Sequence, residues 1–384
     1  MAVDYSIHDI IEPMISYLRD ADRRLLRGTA LLRLDFNTED DWRMRAVLPT
    51  IKFLLKTSEK IVIASHHGRP IGTDKKLSLR KNAATLSRFL WRKVIFMPDF
   101  DFEKIKEEIK RAPRGSMFLL ENLRFNPGEE KNDPKFAKQL ASLADFYVND
   151  AFAVDHRANA SLVAITKFLP SYAGFELENE IKSLSVLIKK PKHPFVFIVG
   201  GAKAADKLGA ITYFKKKADW FLLGGGPANT ILTLRGMDVK KSVRDTDPRD
   251  IKEMKLFSRN KKIIVPLDFR WHADAIWDIG PKSAVLFAKK IAAARTILWS
   301  GPLGLIEKSA YARGSIAVAK AVVKNRKALS VMGGGETVTF LEKYKLDKKF
   351  SFISTGGGAM IDFLAGKKLP GIVALEKAKA TKIF

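Results

Sequence analysis

Short apolar segments alternate with segments of helical period along the whole chain, and this alternation most constrains the fold. Each apolar segment is continuous and rich in β-branched or aromatic residues, as expected of strands that are covered on both faces. The alternation predicts βα units and therefore parallel sheets. The predicted strands are 30–36, 60–65, 94–98, 116–122, 145–150, 194–199, 219–224, 262–267, 296–301, 328–333 and 350–355.

The length of 384 residues exceeds one ordinary hydrophobic core and suits two domains. The weakest link between the two sets of strands is the segment 167–193. It contains a helical stretch, FELENEIKSLSVLIKK, between Gly174 and Pro191. We therefore expect a first lobe over 1–170, a hinge helix within 171–192 and a second lobe from 193 onward.

The composition excludes several classes of protein. Cysteine is absent, so disulfides, thiolate metal sites and a cysteine nucleophile are excluded. No apolar run approaches the ~18 residues of a membrane span. The first twenty residues carry acids early and lack the basic-then-apolar layout of a signal peptide. A cytoplasmic protein without membrane segments is the expectation.

The net charge of +26 is concentrated in the second half. Residues 1–170 hold 29 basic and 23 acidic side chains, whereas residues 171–384 hold 39 and 19. A field of this sign attracts anionic ligands such as nucleotides, phosphorylated metabolites or RNA.

Glycines cluster at or just beyond the predicted strand ends of the second half, where 13 of the 25 are found. In parallel α/β sheets, ligands bind at the carboxyl ends of strands, where a glycine turn leads into a helix. The clusters predict a nucleotide site, although neither a P-loop nor a GxGxxG fingerprint is present. They are Gly200 with Gly201, Gly224 with Gly225 and Gly226, Gly301 with Gly304, Gly333 with Gly334 and Gly335, and Gly356 with Gly357 and Gly358.

Two lysines follow the first glycine cluster in the stretch VGGAKAADK. Lys203 and Lys207 are four residues apart, which predicts that they share one face of a helix beginning there. Cations are disfavoured at a helix N-terminus by the macrodipole, so their presence indicates that they bind phosphates.

Basic residues take the place of glycines at the strand ends of the first half. Because arginine matches carboxylate and phosphate groups, this pattern predicts a cationic pocket for a small phosphorylated acid. One lobe for a nucleotide and one for an acid imply phosphoryl transfer across a cleft that closes to exclude water. The strand-end residues are Asp35, Asn37, Arg43, Arg45, His66, Arg69, Arg124, His156 and Arg157.

The chain resembles the phosphoglycerate kinase family over nearly its whole length. The resemblance rests on RLDFN, ASHHGRP, ENLRFNPGEE, HRANAS, VGGAKAADK, LLGGGPANT, WSGPLGLIE and ISTGGGAM, which occur in the family's order and spacing. It implies reversible phosphoryl transfer between 1,3-bisphosphoglycerate and Mg-ADP, giving 3-phosphoglycerate and ATP in glycolysis and gluconeogenesis. It also implies two Rossmann-like α/β lobes with parallel, six-stranded-type sheets and a hinge helix between them. The second lobe would extend over 193–366, and the segment 367–384 would return to the first. A monomer is implied as well.

The resemblance assigns a role to each matching residue. Arg43 would be the catalytic arginine that reaches the transferring phosphoryl group. Lys203 would face the same group, and Lys207 would hold nucleotide phosphates while also serving catalysis. Asp35, Asn37, His66, Arg69, Arg124 and Arg157 would bind the triose substrate. The nucleotide would contact Gly200, Gly201, Ala202, Lys207, Gly224, Gly225, Gly226, Pro302, Glu307, Gly333, Gly334, Gly335, Glu336, Thr337, Gly356, Gly357 and Gly358.

The stretch VMGGGETVTF places a carboxylate directly after three glycines. Mg²⁺ takes one or two protein carboxylates together with phosphate oxygens, so Glu336 is predicted to bind the metal that the nucleotide carries. Thr337 would offer its hydroxyl to a phosphate. A glutamate in a first helical turn also suits the macrodipole without any metal.

The chain departs from the family at several positions near these sites. His67, Asn159 and Ser300 replace a usual Leu, His and Asn, and Glu336 replaces a usual Asp. The loop after DFN is short, and 268–278 is abbreviated. A paralogue with an altered acceptor or nucleotide is one alternative. A degenerate kinase retained as a polyanion- or RNA-binding protein is another, but the retained basic site residues argue against a nucleic-acid partner.

Overall fold

The computed structural model describes residues 15–380, with side chains described as far as 378. By internal contacts the chain divides into two compact units. Residues up to Ile181 and those from Lys368 onward form the first unit, and Lys182–Lys367 form the second. Residues 1–14 of the predicted first lobe and 381–384 of the predicted C-terminal segment lie outside the described residues.

The first unit is built on a six-stranded sheet in which all strands are parallel. The order across the sheet is β3-β4-β2-β1-β5-β6. The strands are almost wholly buried, as expected of a parallel sheet that carries helices on both faces. They are β1 Thr29–Arg33, β2 Lys60–Ala64, β3 Val94–Met97, β4 Met117–Leu120, β5 Phe146–Asn149 and β6 Ser171–Ala173.

Helices connect these strands, and acidic caps fix several of their starts. The Asp101 carboxylate accepts a hydrogen bond from the amide of Lys104, and the Asp133 carboxylate accepts one from that of Lys135. Such caps satisfy amides that have no partner within the helix. The helices are α1 Trp42–Ala46, α2 Leu48–Thr57, α3 Arg80–Leu90, α4 Phe102–Arg111, α5 Pro127–Glu130 and α6 Pro134–Ala141, and α7 Phe175–Lys189 follows β6 and contains the boundary between the two units after Ile181.

The second unit repeats this architecture with a parallel sheet in the order β14-β13-β12-β7-β8-β9. A separate antiparallel hairpin, β10 with β11, lies outside this sheet. The strands are β7 Phe195–Val199, β8 Trp220–Leu223, β9 Ile263–Ile264, β10 Phe269–His272, β11 Ala275–Ile279, β12 Thr296–Ser300, β13 Leu329–Gly333 and β14 Phe352–Ser354. The helices of this unit are α8 Leu208–Phe214, α9 Gly225–Leu234, α10 Pro248–Ser258, α11 Pro281–Ala293, α12 Arg313–Lys324, α13 Gly335–Lys343 and α14 Gly358–Leu364, and the last helix of the chain is α15 Pro370–Ala380.

The two six-stranded parallel sheets confirm the predicted fold class, and all eleven predicted strands are present. Three strands were not predicted. β6 has only three residues and lies inside the segment 171–192, so that segment holds a strand as well as the helix α7. The abbreviated segment 268–278 forms the hairpin β10–β11.

The C-terminal helix α15 belongs to the first unit, where it packs against β6. The amide of Gly371 donates to the carbonyl of Asp155 over 3.0 Å, which fixes the start of the helix. Among residues 15–380, no helix is long and apolar enough to cross a membrane.

Candidate functional site

In the first unit, a network of hydrogen bonds orders the loop that follows β1. Nη1 of Arg43 donates to Oδ2 of Asp35 over 3.0 Å and to the carbonyl of Asn37 over 3.2 Å. The Arg43 guanidinium also lies 5.2 Å from the ring centre of Trp42. Its Nε is buried and has no hydrogen-bond partner among the described residues. An unpaired guanidinium N–H of this kind is available to an anionic ligand.

Gly68 joins the loops that follow β1, β2 and β4. Its amide donates to Oδ1 of Asn37 over 2.8 Å, while Nη1 of Arg124 donates to its carbonyl. Gly68 has a φ of +64°, and an added Cβ would lie 2.7 Å from the side chain of Leu77. This position therefore requires glycine. Three predicted loops are thereby held together at one edge of the sheet.

His66 lies near the charges of three predicted arginines, Arg43, Arg124 and Arg157, and of one further arginine. It is buried, and burial together with the nearby charges of Arg33, Arg124, Arg157 and Arg43 lowers its pKa well below the usual value. Nη2 of Arg33 lies 3.2 Å from its Nδ1. Because a guanidinium is only a donor, Nδ1 accepts this bond and the imidazole hydrogen is on Nε2. His66 is therefore a neutral hydrogen-bond donor at the centre of a cationic site.

Arg33 is a supporting residue that the sequence analysis did not single out. Its side chain is fully buried; Nε donates to Oγ of Ser161 over 2.8 Å, and Nη2 lies 3.7 Å from a carboxylate oxygen of buried Glu129. Asn159 also donates to Glu129, over 3.2 Å. Asn159 is therefore part of this buried network. The signal for Arg33 was a charged residue at the end of an otherwise apolar strand.

Two of the remaining arginines of this unit are accessible, whereas Arg124 is buried and pairs with Glu130 over 3.3 Å. Arg69 is exposed and makes no ion pair with any residue in the range 15–380. Arg157 is half-buried, and its Nε lies 3.4 Å from Nε2 of His156. The pKa of Arg124 is lowered by burial and by the neighbouring Arg157. The positive charges of Arg124 and Arg157 repel each other, so an anionic ligand bound between them would be favourable.

The second unit contains a cavity of about 810 Å³ at the carboxyl ends of its strands. Eleven predicted residues line it: Gly201, Ala202, Lys203, Lys207, Pro302, Gly334, Gly335, Glu336, Thr337, Gly357 and Gly358. It is also lined by Gly301, a member of a predicted glycine cluster, and by four residues without a predicted role, namely Asp206, Ser300, Ile361 and Asp362. The predicted residues Gly200, Gly224, Gly225, Gly226, Glu307, Gly333 and Gly356 are not in its lining.

The prediction that Lys203 and Lys207 share a helical face is wrong. A 3₁₀ turn covers Ala205–Lys207, and the α-helix begins only at Leu208. The cause is Asp245, whose buried carboxylate accepts hydrogen bonds from the amide of Ala204 over 3.0 Å and from that of Ala205 over 3.2 Å. Lys203 consequently lies in the loop before the helix and is exposed.

Lys207 differs from Lys203 in its electrostatic environment. Burial lowers the pKa of Lys207, and the nearby carboxylates of Asp206, Glu336 and Asp245 oppose that shift. Burial removes water from the ammonium group of Lys207. A phosphate bound beside it would compensate for this lost hydration and stabilise the charged form. Glu336 is itself exposed in the first turn of α13.

Glycines of the first two clusters allow very close contact among the loops that follow β7, β8 and β12. An added Cβ on Gly226 would lie 1.9 Å from the carbonyl oxygen of Ala202, and one on Gly200 would lie 2.1 Å from that of Pro302. The amide of Gly226 donates to the carbonyl of Gly201 over 2.8 Å, so it is already paired within the protein. Gly200 and Gly226 do not line the cavity, but they allow the loops that form its wall to pack together.

Thr337 presents an unpaired group to the cavity. Its side chain is buried, and Oγ1 has no hydrogen-bond partner among the described residues. A buried hydroxyl without a partner costs free energy unless a ligand or water pairs with it. The described residues contain no group of three or more His, Cys, Asp or Glu side chains that could hold a metal ion. A metal here would therefore depend on oxygens of a ligand.

Comparisons with known proteins identify the family of the chain. The sequence profile of the family described as phosphoglycerate kinase matches residues 21–367. A relative of that name from Dictyoglomus turgidum is 39% identical over 388 residues, which covers 94% of this chain and 98% of the relative. A relative from Triticum aestivum, named as the cytosolic form, is 41% identical over 364 residues and covers 88% and 91%. The crystal structure of phosphoglycerate kinase from Pyrococcus horikoshii OT3 matches with a TM-score of 0.85 at 31% identity, covering 96% of this chain and all of that one.

Proposed function

The chain belongs to the phosphoglycerate kinase family, and from this premise we propose the role of each site residue in the reaction. The protein is a phosphotransferase that moves a phosphoryl group reversibly between 1,3-bisphosphoglycerate and ADP, giving 3-phosphoglycerate and ATP. The observation that carries the proposal is the convergence of four arginines on a buried, neutral His66.

The triose substrate is bound by the strand-end residues of the first unit. Arg69, Arg124 and Arg157 offer guanidinium groups that match its phosphate and carboxylate oxygens. His66 donates from Nε2 without adding charge, since its pKa is depressed. Asp35 and Asn37 accept hydrogen bonds in the loop network, and their remaining lone pairs are available to substrate hydroxyls.

Arg43 is the catalytic residue of this unit. Its bonds to Asp35 and to the Asn37 carbonyl hold the guanidinium in one orientation before the substrate arrives. Preorganised donors of this kind act where charge develops in the transition state. No strong general base is required, because the nucleophile is already an anionic oxygen, and positioning with charge neutralisation supplies the acceleration.

The nucleotide is bound in the 810 Å³ cavity of the second unit. Lys207 holds its phosphates, and the exposed Lys203 contacts the transferring phosphoryl group. Thr337 offers the unpaired hydroxyl to a phosphate oxygen. The backbone can approach the phosphates closely at four glycines without side chains, Gly334, Gly335, Gly357 and Gly358. The remaining assigned positions, Gly200, Gly201, Ala202, Gly224, Gly225, Gly226, Pro302, Glu307, Gly333 and Gly356, form or support the walls around adenine and ribose.

Glu336 would hold a Mg²⁺ ion carried by the nucleotide, together with phosphate oxygens of that nucleotide. The donor set fits, because Mg²⁺ binds through one or two carboxylates plus substrate phosphates rather than through a protein cage. When bound, the ion neutralises charge on the phosphates. Glu336 also lies close enough to raise the pKa of Lys207, so its carboxylate would act on both the ion and the ammonium group.

The alternative of a degenerate, RNA-binding kinase is less well supported. The unpaired Nε of Arg43 and the unpaired hydroxyl of Thr337 each lie at a predicted substrate position rather than on an extended basic surface. We propose a cytoplasmic enzyme, in line with the wheat relative named as cytosolic, and a monomer without a nucleic-acid partner.

Substitution of Arg43 by alanine tests the catalytic assignment. We expect kcat to fall by about 10²–10³-fold while KM for both substrates changes little, because the lost interaction stabilises the transition state. Arg45→Ala is the matched control, since Arg45 lies two residues away and pairs with Asp41 at the surface. Equal kcat for the Arg43 variant and wild type, measured by coupled steady-state kinetics, would show that another group has this role.

A further inference from the structure

The first unit contains a pocket that is lined by four basic residues and no acidic one. Its volume is about 230 Å³, and its lining consists of Arg23, Arg27, Phe53, Lys56, Thr57 and Arg114. None of the four cations forms an ion pair with another residue between 15 and 380. The carboxylate of Asp22 interacts with the charge of Arg27 at longer range, but its ion pair is with Arg24. The pocket therefore keeps an excess of positive charge, which attracts an anion.

The topology of the sheet explains why these residues meet. Arg27 lies just before β1, Lys56 and Thr57 end the helix that leads into β2, and Arg114 lies just before β4. These three strands are neighbours in the sheet. The amide of Glu59 donates to the carbonyl of Arg27 over 3.1 Å, and the amide of Gly115 donates to that of Glu59 over 2.6 Å. The backbone therefore holds the three basic segments side by side.

This pocket is separate from the triose site. Asp35 follows the carboxyl end of β1, and Arg124 follows that of β4, whereas Arg27 and Arg114 precede the amino ends of the same strands. A five-residue strand spans about 16 Å, so the sheet itself lies between the two sets of charges. An anion bound here would not occupy the catalytic site.

We propose that this pocket binds a small anion carrying two or more phosphate groups. Its volume lies below the ~300–1,000 Å³ of sites for drug-sized ligands, which suits a diphosphate better than a whole nucleotide. Three guanidinium forks and one ammonium match the several oxygens of such a ligand. Phe53 forms a fixed wall, because its ring packs edge-to-face against Phe175 at a centroid distance of 5.1 Å.

Calorimetric titration of the full chain with inorganic pyrophosphate tests the proposal. Saturating 3-phosphoglycerate and ADP are present throughout, so that both substrate sites are already filled. We expect wild type to bind one pyrophosphate and the double variant Arg27→Gln/Arg114→Gln to bind it about tenfold more weakly or less. The control Arg88→Gln/Lys138→Gln removes two exposed charges from the same unit and should bind like wild type.

Turnover equal to wild type shows that the double variant is folded, since neither arginine belongs to the catalytic machinery. If it does not fold, the single variants Arg27→Gln and Arg114→Gln should each weaken pyrophosphate binding. The proposal is overturned if wild type does not bind, if pocket variants bind like wild type, or if the control loses affinity equally. Single-stranded RNA that binds through these arginines when pyrophosphate does not would also overturn it.

Discussion

At the scale of single residues, Glu336 and Thr337 are neighbours with opposite environments. Glu336 is exposed in the first turn of α13, whereas the Thr337 side chain is buried and its hydroxyl has no partner within residues 15–380. One faces the solvent side of the cavity, where a hydrated ion can reach it, and the other belongs to the wall. This difference suits a carboxylate that orients a metal and a hydroxyl that contacts a phosphate directly.

Replacement of Glu336 by aspartate shortens the side chain by one methylene and withdraws the carboxylate from the ion. We expect activity to remain metal-dependent, with the ratio of half-saturating Mg²⁺ to Mn²⁺ changed by about threefold or more, because Mg²⁺ tolerates less distortion of its octahedral geometry. Titrations of both metals in the kinetic assay measure this ratio. Superimposable titrations for wild type and Glu336→Asp would contradict the metal role of this residue.

At the scale of elements, glycines allow the loop after β7 and the start of α9 to touch. Gly226 approaches the carbonyl of Ala202 so closely that no side chain fits between them. Asp245 holds the same loop through the amides of Ala204 and Ala205, and it also accepts a hydrogen bond from Thr230 over 3.0 Å. The loop that carries Lys203 is therefore fixed by elements distant in sequence.

The variant Gly226→Ala should displace this loop. Overpacking of this kind costs about 1–3 kcal/mol, and we expect a higher KM for ADP with an unchanged KM for 1,3-bisphosphoglycerate. Gly209→Ala is the control, because Gly209 is exposed in α8 and an added Cβ there would contact only the Ala365 side chain. Thermal melts and substrate-specific kinetics distinguish the two variants. An unchanged KM for ADP in Gly226→Ala would show that the contact between Gly226 and Ala202 does not affect nucleotide binding.

At the scale of the whole molecule, buried carboxylates make stability depend on pH. Burial raises the pKa of Asp155 to about 7 and that of Asp150 to about 6. Between the ordinary pKa near 4 and these values, the folded protein holds protons that the unfolded chain has released. Stability is therefore greatest on the acid side of this window and declines as pH rises towards 7.

The variant Asp155→Asn should reduce this decline, because an amide does not titrate. Each such group contributes a slope of up to ~1.4 kcal/mol per pH unit within its window. Urea denaturation at pH values from 5 to 8 measures the effect, and Asp20→Asn, at an exposed position, is the control. We expect the Asp155 variant to exceed wild type in stability at pH 8. Parallel pH profiles for the two proteins would contradict a raised pKa at this position.

Much of the fold could be predicted because buried parallel strands are continuous apolar segments. The site loops could be located because the carboxyl ends of parallel strands share one edge. Asp35, His66 and Arg124 meet there for that reason. The strand β6 could not be predicted, since its three residues have no extended apolar pattern.

Contacts between distant segments account for what the sequence did not reveal. Asp245 breaks the expected helical register of Lys203 and Lys207 from 40 residues away. Arg33 acts on His66 only because two strand ends are adjacent. The hairpin β10–β11 arises in a segment that is shortened relative to the family, so the family pattern gave no guide to it.

The coupled assay of ATP formation tests the central claim most directly. The full chain is given 1,3-bisphosphoglycerate and Mg-ADP, and single-stranded RNA is titrated in a parallel series at two salt concentrations. We expect ATP to form at a rate that saturates with both substrates and does not respond to RNA. Absence of ATP formation, together with salt-sensitive binding of RNA, would contradict the account and favour the polyanion-binding alternative.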